Sequence, residues 1–339
     1  MPSSTRNSVA EPALHATEVP THRTVAKWRY NPRVRLCSVS VDLDEIDCYS
    51  AIHGLAPSAE CHAVYDLALA RIRDFAASLS VPLTLFVIAR DLDREQNRTH
   101  LSVAVSEGHE IGNHSLDHLY DLTKRENTEQ IRQVYEASSR IHAVLGARPS
   151  GFRAPGYTVS DRLLEILRET GLSYDSSVFP CPSYYATKAT ALLAMKLRRR
   201  SSHSVLDSPY VLRAPTTPYR IGEPYWSSGV GLLEIPIQVV GPLRLPFIGT
   251  SLTLLGPVGA RLLTSGLARV PFVNLELHGL DFLEASEVPS ELRAVQPDLR
   301  VPVVRKLESL SAALMTLRAQ GRAFLRLDEA SRSVSGSLA

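Results

Sequence analysis

From Arg35 onward, short β-branched runs alternate with longer segments whose apolar residues recur at helical spacing. Arg35-Leu-Cys-Ser-Val-Ser-Val-Asp-Leu-Asp44 has the pattern of a strand that delivers two carboxylates at its C-terminal end. Glu60 to Leu79 is periodic at the helical repeat, and the apolar Leu83 to Ala89 follows as a buried strand, which makes one β-α-β unit. His109 to Gly112 is a short apolar step, and Arg125 to Leu145 is an amphipathic helix stopped by Gly146. Gly151-Phe-Arg153 reads as a further strand. Ser160 is placed to cap a helix from Asp161 to Thr170 that closes at Gly171. Short strands at Leu172–Asp175, Leu232–Ile237, Phe272–His278 and Ala323–Leu327, with a helix over Arg300–Ala319, complete the alternation. Strand and helix in turn predict a parallel α/β sheet. Polar residues gathered at the strand ends favour a closed or nearly closed barrel.

Three stretches depart from this alternation. Residues 1–31 are polar, proline-bearing and aperiodic, and read as an N-terminal tail, with residues 331–339 as a C-terminal one. Between them, 32–330 forms one barrel domain, interrupted by an insertion at about 180–226. Within the insertion, Lys188 to Arg200 has an apolar middle and a basic end. It suits a surface helix with cations at its C-terminus, or an interfacial helix making peripheral contact with anionic lipid. Leu245 to Ala260 is uncharged but broken by Pro246, Gly249, Gly256 and Pro257, so it reads as loop and buried helix and not as a membrane span.

Composition narrows the function. Of 339 residues, 44% are hydrophobic and 21% charged, enough apolar material for a large core. A formal net charge of +2 gives a nucleic-acid partner little electrostatic support. Cys37, Cys48, Cys61 and Cys181 lack metal-type spacing and read as buried thiols. The first thirty residues contain no apolar core of a secretory signal, which predicts a cytoplasmic protein, at the inner membrane face if the basic helix is interfacial.

Four pieces carry candidate chemistry. His114-x-x-x-His118 places two imidazoles on one face of a helical turn, within reach of one ion at about 2.0–2.1 Å, although such a pair is as readily structural. Asp42-x-Asp44 sits where alternate strand residues point the same way, and would otherwise be a turn. Arg153 opens Arg-Ala-Pro-Gly-Tyr157 at another strand end, and would otherwise be a surface cation beside a proline turn. His278 closes the apolar strand Val-Asn-Leu-Glu-Leu-His, where a core histidine is the plain alternative.

In order and approximate spacing, these pieces resemble the polysaccharide deacetylase family (nodulation-type chitooligosaccharide and peptidoglycan deacetylases, carbohydrate esterase family 4), over roughly Arg35 to Leu327. The resemblance implies a distorted or incomplete (β/α) barrel. It also implies a metal-dependent amide hydrolase that removes an N-acyl group, N-acetyl first among them, from an amino-sugar-containing substrate. Asp44, His114 and His118 would hold a divalent metal, Zn²⁺ before Co²⁺ or Ni²⁺. Asp42 would be the general base, Arg153 its partner, His278 the general acid, and the backbone N–H of Tyr157 would face the oxyanion. Asp175 is a further acidic group that could tune the site. Two positions depart from the family pattern: Asp42 and Asp44 are separated by Leu43 and followed by Glu45, which leaves Asp42 and Glu45 both open as the base, and Gly279 follows His278 where proline is more usual. The alternatives are a deformylase or deacetylase of a lipid-linked or small-molecule amide, a metal-independent ureide hydrolase, and a catalytically silent sugar-binding barrel.

Overall fold

The computed structural model describes residues 35–56, 61–197, 199 and 201–338. The expected tail at residues 1–31 lies outside the described residues. Strands β1 (Arg35–Asp42), β2 (Leu83–Val87), β3 (Glu110–Asn113), β4 (Gly151–Phe152) and β5 (Tyr174–Asp175) are parallel neighbours in chain order. Strand β6 (Tyr219–Ile221) pairs antiparallel with β7 (Ser228–Glu234), which joins β5. Strands β8 (Val239–Val240) and β9 (Leu245–Pro246) form a small hairpin apart from the sheet. Strand β10 (Phe272–His278) lies along β1, whose first residues also take β11 (Arg322–Phe324). The order β10-β1-β2-β3-β4-β5-β7-β6 leaves two edges, so the barrel is incomplete.

Apolar stripes on the helices cover this sheet. Helices α1 (Ile46–Ile52), α2 (Leu69–Ser78) and α3 (Glu95–Ser106) follow the first two strands, and α4 (Asn127–Leu145) and α5 (Asp161–Glu169) the next two. Helix α2 buries Leu69, Ile72, Phe75 and Ala76, the i, i+3, i+4 stripe that its periodicity predicts. Ser160 caps α5 by accepting from the Leu163 N–H at 3.2 Å, and Gly146 ends α4 with φ +67°, both as expected. Helices α6 (Pro182–Leu197), α7 (Gly249–Ser265), α8 (Ser290–Val295), α9 (Val303–Ala319) and α10 (Leu327–Leu338) complete the chain. Each fully buried Leu or Ile contributes about 1.5–3 kcal/mol, and the main cluster joins β1, β2 and β10 to α2, α3, α7 and α9.

Three expectations change. The supposed tail from 331 is the body of α10, whose Val334 is buried with Leu36 and Phe86. The insertion at 180–226 supplies α6 and also the edge strand β6, because Tyr219 and Arg220 find ladder partners in Glu234 and Leu233. Leu245–Ala260 is not mainly buried. It runs from β9 into α7, which breaks at Gly256 (φ +69°) before Pro257 and leaves Leu254, Leu255 and Val258 more than half exposed. Among the described residues no helix is long and apolar enough to cross a membrane. Cys37, Cys48 and Cys181 are buried free thiols, and Cys61 is partly exposed.

Register decides where chemistry can gather. Asp42 is level with His278 on one side and Phe86 on the other, Val87 with Asn113, Asn113 with Phe152, and Phe152 with Asp175. The C-terminal strand ends therefore form one rim, where parallel α/β folds place their sites.

Candidate active site

Asp44 stands two residues beyond Asp42, the last residue of β1, and its Oδ1 lies 3.0 Å from His114 Nε2 and 3.2 Å from His118 Nε2. All three side chains are buried. The two histidines do not share a helical turn, contrary to the spacing argument. They lie on a loop in which Ser115 (φ +65°) and His118 (φ +55°) are left-handed, conformations that non-glycine residues keep only where the surroundings enforce them. Asn113 and Ser115 do the enforcing: the Ser115 N–H donates to Asn113 Oδ1 at 2.7 Å and the His118 N–H to Ser115 Oγ at 3.0 Å. Asn113 Nδ2 in turn is anchored on the Val134 carbonyl of α4 at 2.9 Å.

His114 Nδ1 donates to the Arg153 carbonyl at 2.7 Å, which turns Nε2 toward Asp44, the outer-shell arrangement typical of a ligating histidine. Burial works against the Asp44 carboxylate, but the two imidazoles outweigh it and hold the group well below its usual range. Burial keeps His118 below its ordinary value, as a neutral ligand requires, and its Nδ1 is buried without a hydrogen-bond partner. His114 is also disfavoured as a cation by burial, yet Asp42 and Asp44 pull its proton affinity up. A pocket that draws a proton in this way draws a divalent cation for the same reason. One carboxylate and two imidazoles also form a usual set for Zn²⁺, Co²⁺ or Ni²⁺. The residues present therefore fit such an ion.

Asp42, Glu276 and His278 make a second cluster beside the first, with Asp42 Oδ2 4.0 Å from His114 Nε2. Arg153 is wholly buried and donates to Asp42 Oδ1 at 2.8 Å, Ser40 Oγ at 2.9 Å, and the Ser176 carbonyl and hydroxyl at 2.8 Å each. Burial raises the Asp42 pKa above the usual carboxylate value, and the Arg153 guanidinium offsets only part of that. His278 Nδ1 is 2.9 Å from Glu276 Oε1, and its Nε2 is 3.2 Å from the Tyr157 hydroxyl. Burial disfavours the imidazolium, but the Glu276 carboxylate overcomes this and lifts His278 well above the ordinary histidine range. Two cationic partners, Arg153 and His278, already neutralise the two carboxylates. In this second cluster each carboxylate therefore already has a cationic side-chain partner, unlike Asp44 between its two imidazoles.

Glu276 was missed in the sequence, although a signal was there. It precedes His278 by two on one strand, the same i, i+2 relation that singled out Asp42 and Asp44. Other expectations are corrected. The Glu45 carboxylate accepts from the N–H groups of Ile46, Val64 and Tyr65 at 3.0, 3.1 and 3.4 Å and is pushed up to about 8 by burial. It caps α1, which leaves Asp42 as the carboxylate with the geometry of a base. The Tyr157 N–H donates to the Ala154 carbonyl at 3.0 Å and so is not free to face an oxyanion; the hydroxyl is the group of Tyr157 that reaches the site. Asp175 contacts Ser177 and Glu234, and Ser177 Oγ accepts from the Ala154 N–H at 2.8 Å, so Asp175 steadies the Arg153 turn from behind. At Gly279 any Cβ would lie 2.4 Å from Val64 Cγ1, which accounts for the absence of a larger residue.

Helix α6 roofs the site. Lys188 Nζ donates to the Gly156 carbonyl at 2.9 Å, and the Tyr184 ring packs edge-on against Tyr157 with centroids 5.6 Å apart. On the His118 side a cavity of about 640 Å³ opens between Asp47, Arg90, Tyr120, Lys124 and Ser202.

Residues 66–174 match the polysaccharide deacetylase family model, a span that includes His114, His118, Arg153 and Tyr157. No curated protein matches the sequence. A protein from Mycobacterium smegmatis assigned to the polysaccharide deacetylases is 16% identical and similar over 92% of this chain and 93% of that one, with a TM-score of 0.53. Another, from Pseudomonas aeruginosa and assigned likewise, is 15% identical over 88% and 90% of the two chains, with a TM-score of 0.54. A family 4 carbohydrate esterase pseudoenzyme from Bacillus anthracis is 13% identical over 89% and 67%, but its TM-score of 0.47 is too low to bear on the reading. The family match thus spans the histidine and arginine segments, and the two solved structures share the fold over most of the chain.

Proposed function

We propose that the protein is a metal-dependent N-deacetylase that frees the amine of an N-acetylated amino sugar. The observation that carries this reading is the convergence, on one rim, of the Asp44–His114–His118 trio with the Asp42–Arg153 and Glu276–His278 pairs. Asp44, His114 and His118 would hold a divalent ion, which when bound would supply Lewis acidity toward the acyl carbonyl and the attacking water.

The remaining steps belong to the side chains. Asp42 accepts a proton from the attacking water, and Arg153 fixes the carboxylate that does so. An amine is a poor leaving group, so the C–N bond breaks only as nitrogen gains a proton. His278 donates it from Nε2, while Glu276 holds Nδ1 and keeps the ring cationic. The products are a carboxylic acid and the free amine. Because both base and acid are present with their partners, a silent sugar-binding barrel is disfavoured. The complete ligand set disfavours a metal-independent ureide hydrolase.

The test is release of acetate or formate from N-acetylated and N-formylated amino sugars by the purified protein. The reading expects hydrolysis that a chelator stops and that Zn²⁺ or Co²⁺ restores. Hydrolysis indifferent to chelation, or none on either amide class, would overturn it.

A further inference from the structure

The roof over the site combines apolarity, exposure and charge in a way that a purely solvated surface does not require. Helix α6 is rich in Ala and Leu, yet none of its residues is fully buried. Its half-buried side turns inward through Tyr184 and Lys188, while Leu193 is 57% and Leu197 76% exposed on the outside. The hairpin strand β9 packs beside α6. It adds Leu245, and the turn before it adds Leu243, 76% exposed. Grouped exposed leucines of this kind mark a surface that meets something else.

Charge identifies what that is. Residues 182–206 and 235–275, which supply α6, the hairpin and α7, contain no Asp or Glu and eight Lys or Arg, in a chain with 35 acidic residues among 339. Lys196 and Arg199 are exposed beside Leu193 and Leu197 at the end of α6, whereas Arg198 and Arg200 lie outside the described residues. A second copy of the chain would set these cations against one another with no carboxylate to receive them. An anionic bilayer satisfies both features: leucines enter the acyl boundary while Lys and Arg meet headgroup phosphates.

We propose that the face formed by the outer side of α6 and the β8–β9 hairpin docks on an anionic lipid membrane. The test is sedimentation of the full-length protein with vesicles of phosphatidylglycerol and phosphatidylcholine in equal parts, against phosphatidylcholine alone. Pelleting is expected to be severalfold greater on the anionic vesicles and to fall with added salt. Leu193→Asn with Leu197→Asn removes binding, and Lys196→Glu with Arg199→Glu removes the preference for anionic lipid. All four side chains point outward, so circular dichroism and the thermal midpoint stay unchanged. Equal pelleting on both vesicle types, no pelleting with lipid alone, or undiminished binding in both double variants overturns the proposal. So does a wild-type dimer that the leucine variant converts to monomer, which would make the face a self-interface.

Discussion

The two halves of the sheet hold their parts of the site by different means. From β10 to β3 the strands run seven, eight, five and four residues, and a continuous parallel register carries Asp42 and His278 to the rim. From β4 to β5 the strands are two residues each. There the wall is maintained by buried polar side chains: Arg153 on Ser40, Asp42 and Ser176, Ser177 on Asp175, and Asn274 on Ser176. Where the ladder is long, the backbone positions the chemistry. Where it is short, side-chain hydrogen bonds take over, and each becomes costly to remove.

The largest break in this comparison is expected in the long-strand half at Asp44→Asn. It leaves the ladder intact but removes the one charged ligand, so acetate release and bound metal both fall to background while the unfolding midpoint holds; metal analysis beside denaturant unfolding checks this. Next, in the short-strand half, Arg153→Lys cannot serve Asp42, Ser40 and Ser176 together, and breaking a buried pair of this kind costs about 3–5 kcal/mol. Here stability and activity should fall together, which urea unfolding measures.

Glu276→Gln is a finer probe. The raised His278 pKa means that its acid form is present below that pKa and is lost as pH rises through it. Without the Glu276 charge the His278 pKa drops and the alkaline limb of the kcat profile moves to lower pH; the acidic limb, set by Asp42, moves the same way but by less, because Glu276 is a minor contributor to the raised Asp42 pKa. An unmoved alkaline limb would show that Glu276 does not govern His278. The smallest effect is expected at Gly279→Ala, where a methyl pressed on Val64 costs about 1–3 kcal/mol of stability, read from the thermal midpoint, with chelator-sensitive hydrolysis retained.

The same division decided what was legible. In the long-strand half, periodicity located β1, β2 and β10 to within a few residues and the C-terminal end of α2 to within one, because apolar alternation and helical stripes are written locally. In the other half the insertion concealed β6, whose place depends on a partner across a turn; its helix was legible over Lys188–Arg200, but that one side of it covers Tyr157 and Gly156 was not. Helix α10 was missed because its stripe of Leu327, Ala330 and Val334 is thin until Leu36 and Phe86 lie under it.

Residue types and their spacing by themselves determined the alternating α/β plan and the acids, histidines and arginine that chemistry of this kind needs, since strand and helix periods are properties of the local chain. Only the tertiary structure decided which groups act on which. Glu45 and the Tyr157 N–H are taken up by neighbouring backbone, while Glu276, unremarked in the sequence, is set against His278. Hydrogen-bond partnership and burial fix these roles, and both depend on distances between segments far apart in the chain.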